Sequence, residues 1–297
     1  MDFGRLITAM ITPFGADGMV DYNQAQYLAA HLYDNGSQSL VIAGTTGESP
    51  TLSEQEKLKL FSCVKEVAKG RGYVIAGTSS YNTAESVEMT RAAAKAGADG
   101  ILAVAPYYNK PPQEGLYNHF TAIASACDLP VMLYNIPGRT GINVQPQTVA
   151  RLSKIDNIFA VKEASGNMEQ VSAILQLVDD DFLIYSGDDS LTLPIMSLGG
   201  YGIVSVAGHI IGKEIKSMID MYLAGDYRGS AEMNKYLYPV FHNIFITTSP
   251  IPIKYCVNKL GFNVGDCRLP LCPAEGSLRE ILDNMLRDMD IKNIDVL

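Results

Sequence analysis

IFAVKEASG, residues 158–166, is the stretch on which the reading of this chain turns. Its apolar run has no polar alternation, as expected of a strand buried on both faces of a parallel sheet. Yet the run ends in Lys162, and a buried ammonium is expensive. One reading is structural: Lys162 snorkels past the strand end or pairs with a carboxylate. The other is chemical: the amine is placed to lose its proton and attack a carbonyl. Structural lysines are the commoner kind, so this stretch alone favours the first reading, and the rest of the chain has to decide.

Runs of the same kind recur. They are TAMITP (8–13), SLVIAG (39–44), YVIAGT (73–78), GILAVAP (100–106), PVMLYN (130–135), IFAVKEA (158–164), FLIYSG (182–187) and GIVSVAG (202–208). Between them lie segments with helical spacing. LSEQEKLKLFSCVKEVAK carries Ser53 and Glu56 as a capping box. TAESVEMTRAAAKAG runs from Thr83 to a stop at Gly97, and YNQAQYLAAHLYDNG ends at Gly36. Strand then helix, repeated through eight runs, predicts an α/β fold, the (β/α)8 TIM barrel. A doubly wound open sheet is the alternative, but no G-x-G-x-x-G follows the first run.

Too much chain follows the eighth run for one closing helix. GKEIKSMIDMYLAGD fits the last barrel helix. RGSAEMNKYLYPVFHNIFIT, PIPIKYCVNKLG and GSLREILDNMLRDM then predict a C-terminal helical extension. The expected division is a barrel over 1–224 that carries the active site and a helical domain over 225–297.

Composition narrows the function. The chain has 297 residues, 47% hydrophobic and 19% charged, with a net charge of −9. That balance, without any Lys/Arg-rich run, argues against nucleic acid and anionic membranes as partners. Five scattered cysteines without a C-x-x-C fit reduced thiols. The opening MDFGRLITAMITPFG has no cationic leader and is broken by Pro13, so it reads as a first strand. No apolar run reaches the roughly 18 residues of a membrane span. A cytoplasmic protein is expected.

In a barrel of this kind the chemistry sits where strands end. Those ends carry GTTGE (44–48), PYYN (106–109), Tyr134 with NIPGRTG, Lys162, GDD (187–189) and AGH. GTTGE is either a plain βα turn or a nest whose backbone N–H groups receive a small anion. Tyr134 is a core tyrosine or a proton shuttle. Arg139 is a solvated loop charge or a bidentate carboxylate clamp. Tyr107 and Tyr108, before a proline-rich loop, suggest a lid or a subunit contact. For a metal, the four histidines show no paired spacing. Glu48, Asp188 and Asp189 could hold a hard cation, but an aspartate capping the next helix is the simpler reading. Neither a metal nor a cofactor is expected.

GTTGE, PYYN, YNIPGRTG (134–141), KEASG (162–166) and SGDD (186–189), in this order and each at a strand end, resemble the dihydrodipicolinate synthase/N-acetylneuraminate lyase family of pyruvate-dependent class I aldolases. The resemblance spans essentially the whole chain. The arginine of YNIPGRTG points to the synthase branch, which condenses pyruvate with L-aspartate 4-semialdehyde in diaminopimelate and lysine biosynthesis. A sister lyase or aldolase acting on a sugar acid or hydroxy-oxo acid is the alternative; it would not need Arg139.

The resemblance implies that Lys162 forms a Schiff base with pyruvate, and apolar surroundings would favour its neutral amine. It implies that Tyr134 relays protons through Thr45 to Tyr108, the last reaching in from a neighbouring subunit of a homodimer or homotetramer. Thr45 and Thr46 would hold the pyruvate carboxylate, Arg139 the semialdehyde, and the backbone of Gly187 and Val204 would line the pyruvate pocket. Some relatives are inhibited by L-lysine at a dimer-interface site. Ser49, Glu85 and Tyr107 suit that effector site. Glu54, Lys57 and Tyr81 depart from it, and Lys57 would set a like charge near the effector's amines. Weak or absent lysine feedback is expected.

Overall fold

The eight apolar runs form parallel strands: β1 (Leu6–Ala9), β2 (Ser39–Ile42), β3 (Tyr73–Gly77), β4 (Gly100–Val104), β5 (Val131–Asn135), β6 (Ile158–Glu163), β7 (Leu183–Ser186) and β8 (Gly202–Ser205). They pair in chain order and β8 returns to β1, which closes the barrel. The structure is a computed structural model that describes residues 2–291.

Around the strands lie α1 (Tyr22–Asp34), α2 (Glu54–Ala68), α3 (Thr83–Lys95), α4 (Gln113–Ala124), a single turn α5 (Pro137–Thr140), α6 (Pro146–Leu152), α7 (Met168–Leu177), α8 (Thr192–Leu198) and α9 (Gly208–Leu223). The extension supplies α10 (Tyr227–Asn243), α11 (Ile251–Lys259) and α12 (Ser277–Asp288). The capping box forms on α2, where Ser53 and Glu56 satisfy each other's backbone N–H. Gly36 and Gly97 stop α1 and α3 at φ +102° and +92°.

The first strand lies earlier than its apolar pattern suggests. It pairs over Leu6–Ala9, not over 8–13. Met10 and Ile11 are just as buried but lie past the paired strand: Met10 N–H makes a last bond to Val41 O at 3.0 Å, and Ile11 N–H donates to His209 Nε2 at 3.1 Å. A buried loop and a buried strand have the same hydropathy, so burial alone does not mark where pairing stops.

Two apolar layers follow from the strand period of two. One lies between strands and helices, and residues of α10, α11 and α12 such as Leu237, Val257 and Leu282 belong to it. The other fills the barrel interior with Ile7, Val41, Ile75, Leu102, Met132 and Ala160, closed at one end by Phe3 against Phe159 and Tyr73. On β6 the same alternation sends Ala160 and Lys162 inward and Val161 and Glu163 outward. Lys162 stands in register with Tyr134 on one side and Tyr185 on the other.

Candidate active site

Lys162 is buried at the top of the barrel interior, and its Nζ lies 4.2 Å from the centre of the Tyr134 ring. Burial drives its pKa down to about 7; Asp189 pulls it back up and Arg139 pushes it further down. An ordinary lysine is neutral only about once in a few thousand molecules at pH 7, so this amine is roughly a thousandfold richer in the nucleophilic form. Room for it is made by Gly187: a β-carbon there would meet the Ala164 β-carbon at 2.6 Å and Lys162 Cε at 3.1 Å.

Tyr134 has the opposite character. Burial raises its phenol to about 12, against the Arg139 charge and the Thr45 side-chain hydrogen bond, which both lower it. It therefore stays a proton donor across the neutral range. The Thr45 partner comes from the turn after β2. There Glu48 N–H donates to Thr45 O at 3.1 Å and Ser49 N–H to Gly44 O at 3.2 Å, with Ala43 and Glu48 both at positive φ. Gly77 lets β3 approach this turn, since a β-carbon at 77 would sit 2.4 Å from Ala43 O.

Above these residues opens a cavity of about 230 Å³ lined by Gly44, Thr45, Tyr107, Tyr134 and Arg139 among others. Arg139 is carried by α5 and keeps one guanidinium nitrogen on Ser249 O at 3.1 Å. Lys162, Thr46, Gly187 and Val204 lie outside this lining, buried or half-buried nearby. Tyr108 is not drawn in at all: it stands 91% exposed with φ +73°. A second cavity of about 290 Å³ shares Ser49 and Tyr107 with the first and gathers Glu54, Lys57, Tyr81 and Glu85.

The acidic residues raised as cation ligands have other work. Asp188 accepts from Ser190 N–H at 3.0 Å, the helix-capping role. Glu48 is in ion-pair contact with Lys254. Asp189 is buried, accepts from Ser205 Oγ and from Val206 N–H at 3.0 Å, and burial lifts its carboxyl to about 6. Sequence reasoning had no role for Asp189 beside the lysine. It also passed over Glu163, which accepts from Ser165 N–H, Asn135 and Gln170. A carboxylate in the apolar run, one residue from Lys162, was the signal for it. Lys254 within PIPIKYCV was the corresponding signal in the extension. Among the described residues no helix is long and apolar enough to cross a membrane.

The chain matches the model of the Dihydrodipicolinate synthetase family over residues 2–289. It is similar to the 4-hydroxy-tetrahydrodipicolinate synthase of Synechococcus elongatus, 54% identical over 97% of each chain. The synthase of that name from Desulforamulus reducens is 53% identical, over 98% of this chain and 99% of the other. The dihydrodipicolinate synthase of Cyanidioschyzon merolae, solved with lysine bound, superposes with a TM-score of 0.96 at 48% identity, over 97% of this chain and 99% of that one.

Proposed function

This chain belongs to the dihydrodipicolinate synthetase family, and from that premise we propose that it condenses pyruvate with L-aspartate 4-semialdehyde through a Schiff base on Lys162. The observation that carries the reading is one buried amine, held near neutrality 4.2 Å from the centre of the Tyr134 ring, where Tyr134 lines a cavity together with Thr45 and Arg139.

The neutral Lys162 nitrogen attacks the ketone carbon of pyruvate, and the ketone oxygen leaves as water. The iminium then draws electrons from the adjacent methyl, which gives up a proton and becomes the enamine carbon. That carbon attacks the aldehyde of the semialdehyde. The amino group of the semialdehyde closes the ring on the iminium carbon and displaces Lys162. Tyr134, a phenol that keeps its proton, supplies and recovers protons through Thr45. Thr45 and Thr46 take the pyruvate carboxylate, the backbone at Gly187 and Val204 bounds the pyruvate pocket, and Arg139 takes the carboxylate of the semialdehyde.

Tyr108 enters the relay from a second copy of the chain. Its exposure supports that reading, because no described residue of its own subunit covers the ring. Self-association as a dimer or tetramer follows. The second cavity is the effector site, and Lys57 in it supports weak response to L-lysine.

Arg139→Ala tests the assignment. Borohydride should still fix pyruvate onto Lys162 in the variant, while condensation with the semialdehyde is lost. If condensation survives at a near-native rate, the second substrate is not the semialdehyde or is not held by Arg139.

A further inference from the structure

The ion pair between Glu48 and Lys254 has no place in the chemistry just described. Nζ and Oε1 lie 2.8 Å apart, and the two side chains are 1% and 2% exposed. The partners are 206 residues apart in the chain. A buried pair of this kind is a poor source of stability, because desolvating two ions offsets most of their attraction and a matched apolar pair would serve as well. What such a pair fixes is location.

The location here is the turn that presents Thr45 and Thr46. Glu48 closes that turn in the left-handed region at φ +57°, a conformation a non-glycine residue holds only when its surroundings over-determine it. The second Glu48 oxygen accepts from Arg268 N–H at 2.8 Å. Lys254 also donates to Asp266 O at 2.9 Å and lies 4.0 Å from the Phe14 ring centre. Arg268 stacks on that ring at 4.3 Å, donates to Thr51 O at 2.8 Å and forks onto Glu56. The turn is thus gripped from behind by chain that lies beyond the barrel in sequence. The same segment reaches the loop after β5, where Ser249 O receives Arg139.

We propose that Lys254 is a positioning residue whose ion pair with Glu48 sets the Thr45–Thr46 turn in place to receive the carboxylate of the 2-oxo acid. This rests on the reading that the turn binds that carboxylate. On it, the C-terminal extension completes the substrate site as well as covering the barrel.

The test uses the full chain in three variants, K254M, K254R and E48Q/K254M. The readouts are melting temperature, the pyruvate dependence of borohydride trapping on Lys162, and the KM for each substrate. K254M should need about tenfold more pyruvate for half-maximal trapping, with the KM for the semialdehyde held within about twofold. K254R, which keeps the charge, should recover much of the loss. Should K254M fail to fold, E48Q/K254M decides, since it leaves no unpaired charge buried. It should melt near the native temperature and still show the raised pyruvate requirement. A folded K254M or E48Q/K254M with native pyruvate dependence overturns the proposal and leaves the pair a staple for the extension. A native enzyme that borohydride does not trap with pyruvate removes the Schiff-base reading and this proposal together; native trapping beside unaffected variants removes this proposal alone.

Discussion

Gly187 leaves open the space that Lys162 fills: a β-carbon at 187 would lie 3.1 Å from Lys162 Cε. The same β-carbon would meet that of Ala164 at 2.6 Å, and neither group can rotate away, so β7 and β6 would have to part. Displacement of a nucleophile by about 1 Å costs on the order of a hundredfold in rate. Gly187→Ala should therefore fold but form the trapped pyruvate adduct about a hundredfold more slowly, as read by mass spectrometry after borohydride. Trapping at the native rate would show that the lysine has more freedom than this packing allows.

The pH dependence of trapping follows from Lys162. Its pKa near 7 means that the reactive neutral amine grows as pH rises through 7 and is complete above about 8. Asp189 holds the value up and Arg139 holds it down. Asp189→Asn should move the rising limb to lower pH, and Arg139→Ala should move it to higher pH. Opposite shifts are the diagnostic result, and shifts of the same sign would mean that geometry rather than charge sets the limb. The stability linkage has a definite sign as well. The unfolded chain binds the extra proton between about 7 and 10.5, so the contribution of Lys162 to stability rises with pH across that window.

Much of this was legible in the sequence because buried parallel strands advertise themselves. The runs 100–106, 130–135 and 158–164 differ by a residue or two from the observed strands Gly100–Val104, Val131–Asn135 and Ile158–Glu163. The end of β1 was not legible, since Met10 and Ile11, past its last paired residue, are equally buried. Lys162, Tyr134, Thr45 and Arg139 could be placed from their positions after strands together with the family resemblance. The contacts of Asp189 and Lys254 could not be placed. Both depend on pairings between segments far apart in the chain, Asp189 with Ser205–Ala207 and Lys254 with Glu48, and no local pattern encodes those.

Glu163 lies behind Lys162 in a network that only acceptors can satisfy. Its carboxylate receives Ser165 N–H at 2.7 Å, Asn135 Nδ2 at 2.9 Å and Gln170 Nε2 at 3.1 Å. Asn135 and Gln170 also donate to Asn143 Oδ1, and Asn135 Oδ1 receives Val144 N–H. The chain just after Arg139 is thereby tied to the strand that carries Lys162. Glu163→Gln brings an NH2 against one of these donors, and a buried donor without a partner costs about 1–3 kcal/mol. The variant should unfold at lower denaturant by about that amount, and its KM for the semialdehyde should rise more than its KM for pyruvate. An unchanged denaturation midpoint would mean that water or a side-chain rotation relieves the clash.

On the proposed reading of the second cavity as an effector site, Lys57 should set its response to L-lysine. Its own ammonium already lies in the field of Glu54 and Glu85, which raise its pKa against the dominant lowering by burial. Glu85 is further engaged by Asn82 Nδ2 at 2.8 Å. An incoming lysine would bring amines to carboxylates that already have a cation, and would meet that cation as a like charge. At a partly buried site one such charge a few ångströms away is worth roughly 1–3 kcal/mol. The native enzyme should therefore keep most of its rate in L-lysine at millimolar concentration. Lys57→Ala, which removes the competing charge and opens the cavity, should lower the half-inhibitory concentration by about tenfold or more. Native inhibition well below millimolar, or a Lys57→Ala variant no more sensitive than its parent, would refute the electrostatic account of this site.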